Sequence, residues 1–511
     1  MPPAQSIPFW QSLTVSSTES LGIVAIIALV VFYSLPWLHK QRLLASIPAI
    51  GPTSPISFYR FRTSTFHANA RAIVEEAARK HKIFRVPQVY GWHIVVSETQ
   101  YIDDLRKAPD DYATFSDAME EMMLVRYLLG PTLNKNHYTT EIIKHQLARN
   151  LPNLFSDIRE ETIIAIENKI PLTEDWIKLP AYGIVVQIIA QITNRILVGV
   201  PLCRNKDFLN LNIGFTMEVN TGKRKLQQYP DLFRPLVAKY LTSVPQRIEQ
   251  ALQFLRPFIE EKEQKLKDYG KDYPDKTETF LSWIVDEAQG EERSPIKLTN
   301  RILMLNFGAI HTSSSTFTHA LYELAARPQY IPALREEVET VVKRYGWSKM
   351  ALIHMNKLDS LFKETQRLNG HGCLSVTRMA LKEFTFSDGT RIPKGTIMSA
   401  ASAIPHLNDE VYPDPKTFDP FRFSKIREKE GQGTSNQFVA TNNDYLAFGH
   451  GKHACPGRFF AANELKLMMA HIILTYDIKL EQDGVKPLNQ WFGLSCMPNP
   501  RGSVLFRRRR D

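Results

Sequence analysis

Apolar residues recur at helical spacing along most of this chain. Ala70, Ile73, Val74 and Ala77 share one face of the segment from His67 to His81, and that spacing predicts an amphipathic helix. Pro245 to Tyr269 repeats the pattern and stops at Gly270, a residue suited to the end of a helix. Leu298 to Ala326 is mostly apolar along its whole length, which predicts a helix that crosses the core. Pro332 to Tyr345 is a further amphipathic stretch. Strand-like runs are short: Phe84-Arg85-Val86, His93-Ile94-Val95-Val96, Phe384-Thr385-Phe386 and Thr396-Ile397-Met398-Ser399. The expected fold class is mainly α with small β-sheets. No fixed-period repeat or low-complexity stretch interrupts the body, so residues 56–511 are expected to form one unit.

The front of the chain has a different pattern. Leu21 to Leu38 carries no charge over eighteen residues, and a helix of that length spans about 27 Å, close to a bilayer core. Tyr33 and Trp37 lie near one end, and Lys40 and Arg42 follow while no Lys or Arg precedes. Aromatic rings prefer the membrane interface, and the basic flank stays in the cytosol. A cleaved secretory signal would need a basic start and a small-residue cleavage site; Leu38-His39-Lys40-Gln41-Arg42 follows instead. The expectation is a retained transmembrane anchor over 21–38, with residues 1–20 lumenal. Residues 39–55 contain Ile47-Pro48-Ala49-Ile50-Gly51-Pro52, which predicts a stiff, bent hinge.

Composition narrows the classes further. The 511 residues are 43% hydrophobic and 23% charged, ordinary for a globular protein. The four cysteines, Cys203, Cys373, Cys455 and Cys496, form no C-x-x-C pair, so neither a zinc site nor a disulfide framework is indicated. The formal net charge of +10 suits anionic lipid or an acidic protein face. No helix-turn-helix, zinc finger or aromatic-plus-basic signature accompanies it, so a nucleic-acid partner is not expected. The terminal run Arg507-Arg508-Arg509-Arg510 reads as a solvated tail.

The chemistry concentrates in Phe448-Gly449-His450-Gly451-Lys452-His453-Ala454-Cys455-Pro456-Gly457. A cysteine in a glycine-rich loop ahead of a helix is placed to act as a thiolate, because backbone N–H groups and the helix dipole stabilise negative sulfur. The competing reading is a buried structural thiol. The segment resembles the haem-binding signature of the cytochrome P-450 superfamily, F-x-x-G-x-x-x-C-x-G, at every fixed position. The resemblance implies the cytochrome P-450 fold, haem b as cofactor and Cys455 as the iron ligand, a thiolate that favours O–O cleavage. It also implies that Phe448, Gly449, Gly451 and Gly457 shape the cofactor loop.

Two companion motifs support that resemblance. Glu364-Thr365-Gln366-Arg367 matches the family's E-x-x-R, and i, i+3 residues share a helix face. By resemblance, Arg422 in Pro420-Phe421-Arg422-Phe423 completes an ion-pair network that braces the cysteine loop. Gly308-Ala309-Ile310-His311-Thr312-Ser313 resembles the oxygen-binding helix motif. Thr312 takes the place of the threonine that relays protons; such a hydroxyl can loosen a helix locally. His311 stands where an acid is usual, as in a similar A-x-I-H-T-T stretch of fungal terpenoid cytochromes P-450. It either relays protons near neutral pH or fills space with one hydrogen bond.

Cationic partners for the haem propionates are Arg378 and His453 by resemblance, with Lys144 standing in for the missing W-x-x-x-R helix or simply lying on a solvated face. The resemblance implies a pocket along Phe115–Leu129, with Met119, Met122 and Met123 as an adaptable wall and with Phe307, Ala309, Leu374–Val376 and Phe492–Leu494 completing it; the other reading of these positions is plain core or loop residues. An apolar small-molecule substrate follows. No flavin or nicotinamide motif is visible, so electrons are expected from NADPH–cytochrome P-450 reductase, with cytochrome b5 as a second donor. The resemblance implies an endoplasmic reticulum protein with a cytosolic catalytic body that hydroxylates or further oxidises a terpenoid-type secondary metabolite. Two other classes remain at this point: a reductase-independent isomerase or dehydratase, which Thr312 disfavours, and a membrane-tethered haem protein that binds a ligand without turnover.

Overall fold

A computed structural model describes residues 35, 38–52, 66–131, 133, 136–271, 273, 275–429 and 433–510. The expected anchor over 21–38 falls almost wholly outside them. Among the described residues no helix is long and apolar enough to cross a membrane. The stretch read as a hinge begins with helical residues 38–45. Its proline segment then pairs with the first strand, where Ile50 N–H donates to the Arg85 carbonyl at 2.9 Å and Arg85 N–H to the Pro48 carbonyl at 2.8 Å.

The chain then forms α1 (Phe66–Lys80), β1 (Ile83–Gln88), β2 (Gly91–Val96), α2 (Thr99–Lys107), β3 (Ala113–Thr114) and α3 (Phe115–Met123). α1 bends at Asn69, whose φ of −122° and ψ of 17° leave the helical region. After α4 (Phe155–Glu167) come β4 (Ile177–Pro180), α5 (Ala181–Leu197), α6 (Lys206–Leu226), α7 (Arg234–Leu241) and α8 (Val244–Tyr269). α8 ends where Gly270 takes a φ of 78°, and α9 (Pro295–Ala325) starts with a proline whose missing N–H costs nothing there. α10 (Ile331–Tyr345), α11 (Asn356–Leu368), β5 (Leu374–Ala380), β6 (Phe384–Thr385), β7 (Arg391–Ile392), β8 (Ile397–Ala401) and α12 (Arg422–Arg427) follow. The chain closes with α13 (Arg458–Thr475), β9 (Tyr476–Lys479), β10 (Gln490–Phe492), β11 (Ser495–Met497) and β12 (Ser503–Arg508). Each helix and strand expected from the pattern of the body, after residue 56, is present within a few residues.

One sheet runs in the order β1-β2-β8-β5-β3, and β4-β12-β9 forms a second. Within the first, β2 and β8 are parallel and the other pairs antiparallel. The main hydrophobic cluster joins α4, α5, α9, α11 and α13. α9 is the axial element and packs on α5, α6, α8, α11 and α13. From Ser313 to Ala325 every residue of α9 is buried, yet Gly308 and Thr312 one turn apart are open. That open stripe on a core helix marks an internal space.

Candidate active site

Local geometry shapes the cysteine loop. Gly449 and Gly451 adopt φ of +71° and +75°, values that favour glycine. A Cβ on Gly451 would also lie 2.4 Å from Cγ of Arg106 on α2. The loop folds back on itself: Cys455 N–H donates to the Phe448 carbonyl at 2.8 Å, and Ala454 N–H to the Gly451 carbonyl at 3.0 Å. α13 starts immediately afterwards with Gly457 as its cap. Burial raises the Cys455 thiol pKa, while the N–H groups of Gly457 and Arg458 and the Arg458 guanidinium pull it down. A bound metal inverts that balance, because a coordinating thiol is deprotonated outright. The Phe448 ring centroid lies 5.2 Å from that of Phe438, and the ring packs against the main hydrophobic cluster.

A buried ion-pair network stands behind the loop. Arg367 donates to both carboxylate oxygens of Glu364, at 2.7 and 2.8 Å, and Arg422 Nε donates to Oε1 at 3.1 Å. The sequence did not reveal how this network reaches the loop. Arg367 also donates to the His406 carbonyl at 2.7 Å, and the His406 ring accepts the Leu446 N–H at 2.9 Å. The other ring nitrogen lies 3.1 Å from the Arg367 carbonyl, which can only accept. His406 is therefore the Nδ1–H tautomer, and burial first, then Arg367, pull its pKa down to about 3. Glu364, Arg367, His406 and Leu446 connect α11 to the root of the cysteine loop.

On α9, Thr312 Oγ1 donates to the Gly308 carbonyl at 2.7 Å and lies 3.3 Å from that of Ala309, facing the open stripe. His311 faces elsewhere. Its Nε2 lies 2.9 Å from the Ile213 carbonyl on α6, and its Nδ1 lies 3.1 Å from the Tyr182 hydroxyl on α5. A carbonyl accepts only, so Nε2 carries the proton and Nδ1 accepts from Tyr182. Burial lowers the His311 pKa, opposed by the bond to Ile213. His311 thus links three helices as a neutral ring. A second acid, absent from the sequence reading, lies behind α9: Glu464 on α13 accepts from Thr193 Oγ1 at 2.9 Å. Burial pushes its pKa up to about 8, against hydrogen bonds from Thr193 and Ser313.

The three cationic candidates fare differently. Arg378 on β5 is 1% exposed, and its Nε and Nη2 have no partner among the described residues. Burial pulls its pKa down to about 10. His453 lies near enough for Arg378 to depress its pKa, after burial; its Nε2 is 2.7 Å from Asp110 Oδ1, and Lys452 reaches the same carboxylate at 3.0 Å. The structure therefore brings Arg378, His453 and the cysteine loop together. Lys144 instead pairs with Glu141 at 3.0 Å on an exposed helical face.

A thiol-bearing loop braced by buried ion pairs, set below an opened core helix, defines the architecture of a haem-thiolate enzyme. The family model for cytochrome P450 matches residues 175–506. Cytochrome P450 monooxygenase 151 of Postia placenta is 41% identical over 491 residues, 96% of this chain and 98% of that protein. Cytochrome P450 monooxygenase CYP512U6 of Ganoderma lucidum is 33% identical over 96% of this chain and 97% of that protein. The retinoic acid-bound cyanobacterial CYP120A1 shares the fold, with a TM-score of 0.67 and 18% identity over 91% of this chain and 99% of that one. This chain belongs to the cytochrome P450 family: it is a monooxygenase with haem b as its cofactor. Arg378 Nη1 donates to the Thr377 carbonyl at 2.7 Å, while its Nε and Nη2 have no partner among the described residues; these free donors fit that cofactor, because a buried cation without an anion is costly and a propionate would supply the anion.

Proposed function

We propose that this monooxygenase hydroxylates or further oxidises an apolar, terpenoid-type secondary metabolite with O2 and electrons from NADPH–cytochrome P-450 reductase. Thr312 carries the reading, as an open hydroxyl on an otherwise buried stretch of α9. Haem, when bound through Cys455, supplies dioxygen activation. The protein's own groups do the rest. The loop from Phe448 to Gly457 orients the sulfur and excludes water from it. Arg378 and His453 serve the propionates; Lys144, paired with Glu141, is left to the solvated face. Thr312 Oγ1 holds a proton within reach of the open space, against the Gly308 carbonyl. His311 ties α9 to α5 and α6 and, with both nitrogens engaged, acts as a brace and not as a relay. Retention of Thr312 disfavours the isomerase reading, which has no need of a proton relay.

Fungal cytochrome P450 monooxygenases at 33–41% identity support the oxygenase part of this reading. A membrane setting agrees with α7 and the turn before it. Leu232, Leu236 and Tyr240 are 82, 58 and 66% exposed there, with Phe233 and Leu241 also open. Apolar surface of this kind, flanked by Lys239, Lys225 and Arg224, suits an anionic bilayer. With the apolar 21–38 segment it supports attachment to the endoplasmic reticulum with the body in the cytosol. The test is product analysis after co-expression with a reductase and a panel of diterpene and indole-diterpene scaffolds. NADPH-dependent oxygenated product is expected; turnover that persists without any electron donor would exclude a monooxygenase cycle.

A further inference from the structure

Near its C-terminal end α6 carries an ammonium group that folding leaves without a counter-charge. Lys223 is half-buried, whereas the next two cations, Arg224 and Lys225, are exposed. The Lys223 Nζ lies 3.7 Å from Met123 Sδ on α3, its sole bond among the described residues. A thioether is a weak acceptor and leaves the positive charge uncompensated. Acids on and beside these helices are engaged elsewhere. Glu120 and Glu121 pair with Arg126 at 3.6 and 4.0 Å, and Glu218 pairs with Arg247 at 3.2 Å. Burial, and then Arg224, lower the Lys223 pKa, with no acid opposing them. A lysine that only covered apolar surface with its stem would send Nζ to water; this one sends it to a sulfur.

The face of α6 that bears Lys223 is the one that packs on α9. Leu209 and Ile213 lie on it and cluster with Ile310 of α9 and with Val186 and Ala190 of α5. The Ile213 carbonyl also meets His311 Nε2 at 2.9 Å. Thr216, Asn220 and Lys223 continue that face at three- and four-residue spacing. The pattern changes there from apolar to polar, and all three residues keep accessible surface. Thr216 Oγ1 has no partner among the described residues either. The polar stripe of α6 and the open stripe of α9, Gly308 and Thr312, thus start from one contact at His311 and run on from it. Met123, which Lys223 touches, packs on the same apolar cluster as Phe307, the residue before Gly308. Lys223 is tied to the open stripe along α6 and again across α3. A cation held over a thioether and apolar side chains is costly until an anion joins it.

We propose that Lys223 Nζ pairs with a carboxylate of the substrate, which makes the substrate a terpenoid-type acid with its acid end under α6 and its opposite end beside Thr312. The inference rests on the monooxygenase reading above and adds the charged handle that the substrate carries. One ammonium with three donors matches one carboxylate; a diphosphate needs further cations, and Arg224 and Lys225 are turned outward. Ile213, level with His311, precedes Lys223 by ten residues of helix, about 15 Å. The oxidised carbon lies about that far from the carboxylate, a span too long for a monoterpene acid.

Holoprotein is titrated at neutral pH with matched acid, methyl ester and alcohol forms of abietane, labdane and lanostane scaffolds, following the Soret shift. At least one acid is expected to bind about ten-fold more tightly than its ester and its alcohol, the worth of one charge-assisted hydrogen bond in a partly enclosed site. Lys223→Met, which keeps an unbranched side chain without its charge, is expected to abolish that preference while leaving the ester within about two-fold. Lys223→Arg is expected to keep most of it, and Lys223→Gln stands in should the Met variant fail to fold. Arg224→Gln, on the outward face, is expected to leave the preference intact. Esters that bind as tightly as the acids, a preference that survives Lys223→Met, its equal loss in Arg224→Gln, or no shift with any acid would each overturn the proposal. The reduced carbonyl spectrum of the wild type keeps the two readings apart. Loss of its thiolate band there defeats the monooxygenase reading, whereas a normal band without acid preference defeats only the role of Lys223.

Discussion

Single side chains carry the chemistry, and each can be tested singly. The Cys455 sulfur is the only group in its loop able to form a soft bond to iron. Cys455→Ser is expected to abolish the band at about 450 nm of the reduced carbonyl complex, the mark of thiolate ligation. A variant that keeps the band would place the ligand elsewhere. Thr312→Ala removes an exposed hydroxyl whose bonds among the described residues are to the Gly308 and Ala309 carbonyls. Haem is expected to be retained while NADPH is diverted to hydrogen peroxide, measured as the ratio of peroxide to product. A ratio equal to that of the wild type would remove Thr312 from proton handling. These residues were legible because their constraints are local. The glycines at 449 and 451 take positive φ within a few residues of the cysteine, a demand that is met locally and so shows in the chain.

At the level of elements, α11, α12 and the cysteine loop are held by one carboxylate. Glu364 is fully buried and faces two guanidinium groups, Arg367 and Arg422. Removing it by Glu364→Ala leaves two cations without a counter-charge, at a cost of about 3–5 kcal/mol. Because Arg367 leads through His406 to Leu446, the damage is expected to reach the loop as haem loss, read by the ratio of Soret to protein absorbance. Wild-type haem content in that variant would show that the network does not brace the loop. Half of this network could be read from the chain, since Glu364 and Arg367 are three residues apart on one helix. His406 could not: it meets Leu446 across 40 residues, and no spacing rule joins a short helix after β8 to a loop before α13.

For the molecule as a whole, buried neutral imidazoles set the response to acid. Burial lowers His93 to about 3, His371 to about 4 and His406 to about 3. Between those values and about 6.5 the unfolded chain binds more protons than the folded one, so stability rises with pH through that window and falls on acidification. Glu464 acts in the opposite sense. Its pKa of about 8 means that the folded state holds the extra proton between about 4.5 and 8, so its contribution declines as pH rises. Thermal melts from pH 7 to pH 4.5 are expected to show a falling Tm, and His93→Gln is expected to flatten the fall. A Tm that rises on acidification would show that the carboxylate dominates. The chain alone determined the mainly helical body, the apolar front segment, the thiol loop, the E-x-x-R pair and the threonine on the long helix, because each is a pattern within a few turns of one element. Only the tertiary structure decided that His311 bridges to Tyr182 across 129 residues, that Glu464 meets Thr193 across 271, and that Lys223 meets Met123 across 100. Those contacts join separate elements, and the distance between elements is fixed by how they pack and not by the order of residues within any one of them.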